Sequence, residues 1–262
     1  MDMTRRNLEL LYKQIIQLKP YVMVILLGII ASYSVYIVYD AYTVGDLFGR
    51  EDSIVENLGA LCFFLTSIVA LFIFLRTRNI FFLLLCLVFF LGAGEEVSWG
   101  QRIFNFETPA AMKEMNVQGE FNLHNIEIFN SANFDKTYKQ GLEKLLTINF
   151  LYKLFWASWC IILPLLVFNF DALNRLATKI RLPIPPIAIG VFFAVNWLTF
   201  KSLDSVILPR GHSAHYYAAS KEIYESLSAF IFLVLMVYFY RQVESSARAE
   251  HGEEAVQAST ET

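Results

Sequence analysis

Residues 21–39 read YVMVILLGIIASYSVYIVY, an unbroken apolar run with no charge inside it. Arg5, Arg6, Lys13 and Lys19 precede this run, and Asp40 and Asp46 follow it. A run of this kind is close to the roughly 20 residues that an α-helix needs to cross the hydrocarbon core of a bilayer. A cleaved leader would have a shorter apolar centre and a small-residue cleavage site, and Tyr-Ile-Val-Tyr-Asp offers none, so the segment is expected to stay as an anchor. Working outward, similar runs appear at Val55 to Leu75, Ile80 to Val97, Phe150 to Phe170, Ile184 to Phe200 and Ile223 to Tyr240. Continuous apolar stretches argue for helices, because the strands of a membrane barrel alternate apolar and polar residues over about 10 positions. The expected fold class is therefore all-α, a polytopic transmembrane helical bundle of about six transmembrane helices.

Composition agrees, since 56% of the 262 residues are hydrophobic and 16% aromatic, above the usual range for a water-soluble domain. A formal net charge of -3, with no basic run interleaved with aromatics, speaks against a nucleic-acid partner. Membrane lipids are the expected neighbours. Cys62, Cys86 and Cys160 all lie in apolar runs without metal-ligand spacing and read as small core or lipid-facing side chains. Orientation is read from Lys and Arg in short loops: four before the first run, Arg76 and Arg78 after the second, and Arg175, Lys179 and Arg181 after the fourth. That pattern predicts both termini on the cytoplasmic side (N-in/C-in). Three parts follow from it. Residues 1–20 form a cytoplasmic N-terminal segment, either an amphipathic helix in the headgroup layer or a basic tail. Residues 21–240 form the six-helix domain with an outer loop at 98–149, and residues 241–262 form a cytoplasmic tail expected to be disordered.

Under this topology the ionisable residues collect on the extracytoplasmic face. Gly94-Glu95-Glu96-Val97-Ser98-Trp99-Gly100-Gln101-Arg102 ends the third run with two carboxylates, where an unpaired charge is costly. If the helix continues, Glu95, Ser98 and Arg102 share a face. An ion-pair cap and a functional site, with Glu95, Glu96 and Ser98 as catalytic candidates, both fit. The outer loop carries Asn116-Val-Gln-Gly-Glu-Phe-Asn122-Leu-His124-Asn125, so Asn122, His124, Asn125 and Arg102 are candidate binding residues. Asp135 to Ile148 has an amphipathic helical pattern. The last outer segment runs from Asp204 through His212 and His215 to Lys221, Glu222 and Glu225, with Ser213 as a candidate N-cap. On a continuous helix His215, Glu222 and Glu225 form a stripe, which adds Glu222 and Glu225 to the candidate binding residues, and Lys221 with Glu225 forms an i, i+4 pair.

The stretches Glu95-Glu96-Val-Ser98-Trp-Gly-Gln-Arg102, Asn116-Val-Gln-Gly-Glu120 and Leu123-His124-Asn125, with the glutamates that open the last run, resemble a group of prokaryotic multi-pass membrane proteins without an established activity. That resemblance implies a prokaryotic plasma (inner) membrane and transfers no catalytic residue. The function expected first is a binding or accessory membrane protein with a Glu/His/Asn cluster on its outer face, taking a lipid or small-solute ligand. The alternative is a membrane-embedded metal-dependent hydrolase acting on a lipid or lipid-linked substrate, with zinc as a possible cofactor held by His124, His212 and His215. It is loosely similar to the alkaline ceramidase type, for which Ser98 and Asp204 supply a serine and an aspartate. His212 and His215 depart from that type's His-x-x-x-His spacing.

Overall fold

The computed structural model describes residues 3–50, 53–203 and 214–260, and side chains over 16–40, 42–50, 53–101, 103–203 and 217–248. His212, Ser213 and Asp204 lie outside the described residues. So do the side chains of Arg102 and His215. The described chain is all-helical, with 78% helix and no strand.

Helix α1 (Met3–Val38) is followed by the short α2 (Ala41–Phe48), and a tight pair α3 (Ile54–Thr77) and α4 (Ile80–Glu96) comes next. Local chemistry sets these boundaries. Asp40 caps α2 by accepting from the N–H groups of Tyr42 and Thr43, and with the Thr43 hydroxyl this holds its carboxyl below the ordinary carboxylate range. Ser53 caps α3 and Asn79 caps α4. Between α4 and the next long helix lie α5 (Gln101–Phe104), α6 (Ala110–Met115) and a folded loop. The amphipathic pattern of Asp135–Ile148 yields only a 3₁₀ segment, Gly141–Leu146, with Leu142, Leu145 and Leu146 exposed. Gly141 has φ 58°, a left-handed start that an α-helix does not accept.

Helix α7 (Ile148–Ala157) runs through a π-helical turn, Ser158–Ile162, into α8 (Leu163–Asn169). Pro164 explains the wide turn. It has no N–H to give the carbonyl of Cys160 four residues earlier, and the Leu163 N–H bonds instead to Ser158, five residues back. Helix α9 (Asp171–Lys179) is short, with Leu173 and Leu176 exposed. Helix α10 (Ile187–Ser202) then crosses the π-turn so closely that a Cβ built on Gly190 would overlap the Cys160 carbonyl oxygen. The final helix, α11 (Ala214–Thr260), continues through Arg241–Arg248, the opening of the segment read as a disordered tail, and Glu244 there pairs with Arg248 at 2.9 Å.

Among the described residues, four helical segments are long and apolar enough to cross a membrane: Ile16–Val38, Ile54–Thr77, Ile148–Asn169 and Tyr217–Arg248. This is a helical membrane-compatible chain. The other two apolar runs form shorter helices, of 17 residues for α4 and 16 for α10. At about 1.5 Å per residue such helices fall short of a core roughly 30 Å thick unless the bilayer thins around them.

Helix α11 lies at the centre, packed on α1, α2, α3 and α10. Its residues Ile231, Phe232, Leu235 and Met236 are fully buried. Phe232 stands at the middle of an aromatic cluster, 4.5 Å from Phe193 and 4.9 Å from Phe89 between ring centroids. Small residues permit the close crossings, with Gly59 of α3 set against the backbone of Ser226 and Gly28 of α1 against Phe230.

Candidate functional site

The starts of α3, α7 and α11 and the ends of α1, α4 and α10 meet at one end of the bundle. Two polar assemblies occupy it, and Glu95 and Glu96 belong to different ones because neighbours on a helix point about 100° apart.

The first assembly joins Glu95 to the long loop. Helix α4 does not continue to Arg102 as the shared-face reading supposed. After Val97 the chain makes a left-handed turn in which Ser98, Trp99 and Gly100 have φ of 45°, 54° and 76°. Only glycine adopts this region without strain, so two of the three positions must be held there by other contacts. Trp99 folds back over Gly94, whose missing side chain leaves room for the indole, and its Nε1–H donates to Glu95 at 2.7 Å. The Glu95 carboxylate also accepts from the backbone N–H of Leu123 (2.6 Å) and of His124 (2.9 Å), with His124 Nδ1 at 3.4 Å. A carboxylate with three N–H donors is a strong anchor for the loop.

Ser98 donates to Glu120 at 2.9 Å. Asn122, fully buried, donates to Ser98 (3.0 Å) and Glu120 (2.8 Å), and its oxygen accepts from Asn116 and from the Asn125 N–H. Asn116 in turn accepts from the N–H groups of Gln118 and Glu120, and Asn125 bonds to Gln118 and Asn130. The structure thus brings Glu95, Ser98, Asn122, His124 and Asn125 together. Most of their hydrogen-bonding capacity is spent inside the loop, which is how a long irregular segment satisfies its backbone. Farther along, Thr137 donates from N–H and hydroxyl to Asp135, which holds that exposed carboxyl below the ordinary range. Replacing Glu95 by Gln removes the charge that strengthens the Leu123 and His124 bonds. The expected result is several-fold faster proteolysis within 116–125, with unchanged helix content by circular dichroism; equal cleavage rates would refute the anchor role.

The second assembly is built from Glu96, Lys221, Glu222 and Glu225, with Glu56 of α3 nearby. Lys221 Nζ lies 3.0 Å from Glu225 and 3.6 Å from Glu222, so the expected i, i+4 pair forms and gains a second carboxylate. Glu96 is within electrostatic range of all three α11 charges and of Glu56. Side chains of Glu222 and Glu225 keep 21% of their accessible surface and Lys221 keeps 34%, although protein surrounds each at longer range. The three charges are therefore partly exposed and close to one another at the start of α11.

Beside these charges stand buried polar groups that cluster together, the Tyr224 hydroxyl near Trp156 and Ser228 and the Tyr152 hydroxyl near Ser228. The hydroxyls of Tyr152 and Tyr224 and the Nε1–H of Trp156 are buried and make no hydrogen bond of good geometry. Tyr224 is 2% and Trp156 6% exposed, and both tyrosines lie within electrostatic range of Glu225. Such groups cost roughly 1–3 kcal/mol each unless water or a ligand completes them. Behind them Asn196 of α10, fully buried, ties three helices: it accepts from Tyr33 (2.6 Å) and donates to the Tyr224 carbonyl (2.9 Å) and to Ser228 (3.0 Å).

Glu56, Tyr152, Trp156 and Asn196 were not among the sequence candidates. A lone Asn within the apolar run 187–200 was the available signal, since polar residues inside membrane helices mark packing or function. Among the described residues no three His, Cys, Asp or Glu side chains stand in metal-holding geometry. His124 lies with Glu95 in the loop assembly, while His212 and the side chain of His215 fall outside what the structure describes. No family model matches this chain, nor does any curated protein or solved structure.

Proposed function

We propose that this chain is a binding or accessory protein of a prokaryotic plasma membrane, crossing six times with both termini in the cytoplasm. Its crevice of Glu56, Glu96, Lys221, Glu222 and Glu225 opens to the extracytoplasmic side and takes a small polar solute. Helices α4 and α10 supply the two short crossings, in keeping with the run lengths and with the alternation of Lys and Arg between loops. The observation that carries the binding role is the pairing of a partly exposed, mostly acidic cluster with buried groups that make no well-formed hydrogen bond, Tyr152, Tyr224 and Trp156. Convergent polar groups in an otherwise apolar wall are the usual form of a small-molecule site. The hydrolase alternative gains no comparable support among the described residues, where Ser98 donates to Glu120 and no three His, Cys, Asp or Glu side chains stand in metal-holding geometry.

Cysteine chemistry tests both the crevice and its side. Cys62, Cys86 and Cys160 are replaced by Ser or Ala and a single thiol is introduced by Glu56→Cys. Aminoethyl methanethiosulfonate added outside intact cells should modify it about 10-fold faster than the sulfonatoethyl reagent, since an acidic crevice concentrates cations. Equal rates would remove the acidic crevice, and labelling only after permeabilisation would invert the topology.

A further inference from the structure

We propose that the cleft where α1 passes the C-terminal part of α11 binds the phosphate headgroup of an acidic membrane phospholipid. Arg241 in this cleft is sixteen residues beyond Glu225 on α11, about 24 Å along the helix axis. The proposal therefore concerns the other end of the bundle and stands apart from the reading of the Lys221 cluster.

The cleft has a volume of about 370 Å³ and is open to the surroundings, with Gln17 and Tyr21 of α1 on one wall and Arg241, Glu244, Ser245 and Arg248 of α11 on the other. Helical spacing assembles it. Gln17 and Tyr21 are one turn apart, and the four α11 residues recur at i, i+3, i+4 and i+7, so each set shares a face. Glu244 stands between the two guanidiniums, 3.6 Å from Arg241 and 2.9 Å from Arg248, and offers a different carboxylate oxygen to each. It fixes where the arginines point without enclosing them: their side chains keep 65% and 75% of their accessible surface, against 22% for Glu244. Each guanidinium is a planar fork of five N–H donors that matches phosphate oxygens, and a single carboxylate cannot fill both forks. Among the described side chains that line the cleft, two cations face one anion.

Depth in the membrane selects the source of the phosphate. The apolar stretch of α11 from Ile223 to Tyr240 is about 27 Å long, close to a hydrocarbon core of roughly 30 Å, so Arg241 follows at headgroup level. Tyr21 meets Tyr238 edge-on there, with ring centroids 5.4 Å apart and planes at 89°, an aromatic pair of the kind found at membrane–water boundaries. Farther into the span, Val24 and Leu27 of α1 are exposed and give acyl chains a surface to lie on. A free phosphate would use the arginines alone, whereas a phospholipid uses the arginines and the apolar surface together. Basic pockets between membrane helices are common sites for acidic headgroups.

The test is native mass spectrometry of the full-length protein in mild detergent, titrated with phosphatidylglycerol or with phosphatidylcholine of identical acyl chains. The wild type should bind its first phosphatidylglycerol about five-fold more tightly, the effect of one net cationic side chain near an acidic headgroup. Arg241→Gln with Arg248→Gln should abolish this preference. Arg175→Gln with Lys179→Gln, which removes two cations from α9, should leave it intact. Glu244→Gln should raise it several-fold by removing the anion, and this variant keeps both arginines should the Gln pair perturb folding. Glycerol phosphate at the same concentrations should not displace the lipid. Equal binding of the two lipids by the wild type, a preference that survives loss of both arginines or disappears with the α9 pair, or no gain in Glu244→Gln would each overturn the proposal. Displacement by glycerol phosphate would overturn it in favour of a free-phosphate site.

Discussion

Gly190→Val should prevent recovery of folded protein. Even a methyl group at this position would overlap the Cys160 carbonyl oxygen, with the Cys160 carbon 2.9 Å away. Ordinary overpacking costs about 1–3 kcal/mol because side chains shift into new rotamers. Here the obstacle is backbone, fixed by the π-turn that Pro164 imposes, so relief requires α10 to leave α7 and α8. That separation would also undo the stacking of Trp156 on Phe193, 5.7 Å apart and 12° from parallel. The expected outcome is loss of the monodisperse peak in size-exclusion chromatography for Gly190→Val, and a severe reduction for Gly190→Ala. Gly92→Ala is the control, since its Cβ would meet Phe63 at an ordinary 3.7 Å. A well-behaved Gly190→Val protein would mean that α10 does not pack against the π-turn as described.

Lys221→Met should give the second largest effect. Removing one partner from a fully buried ion pair costs about 3–5 kcal/mol, because the remaining charge has lost its water and gains nothing in return. Lys221 keeps a third of its surface, so screening reduces the expected loss to roughly 2 kcal/mol. The loss comes from leaving Glu222 and Glu225 side by side without an ammonium, near Glu96 and Glu56. The double variant Lys221→Met, Glu225→Gln should therefore regain most of the stability, measured by thermal unfolding in detergent. If the double variant is as unstable as the sum of the two single ones, the charges do not interact and the crevice loses its electrostatic basis.

Much of the scaffold was legible in the chain. Apolar runs determine membrane-compatible helices by length alone, and four of the six expected runs meet that standard as long helices. The sides on which they end follow from loop charges and stay an inference from composition. The candidate site was legible in location more than in organisation. Glu95 and Glu96 look alike in sequence, yet one ties down a loop and the other faces α11, a difference set by helix rotation. Helix continuation past Val97 was the natural expectation, and the left-handed turn at Ser98–Gly100 has no local signature beyond Gly100 itself. Tyr152, Trp156 and Asn196 were hidden because a single polar group inside an apolar run gives no periodic pattern. Their meaning comes from partners far away in the chain, such as Tyr33 for Asn196.

The central position of α11 bears on how the protein is made. The ribosome emits this helix after α1, α2, α3 and α10, yet it packs against all four. Until it arrives, Glu96 and Glu56 are without Lys221, and Asn196 lacks Ser228 and the Tyr224 carbonyl. The earlier helices therefore cannot complete their mutual packing until α11 stands among them. A chain cut before residue 214 would lack the one element on which four other helices pack, so completion of the bundle depends on α11 being made.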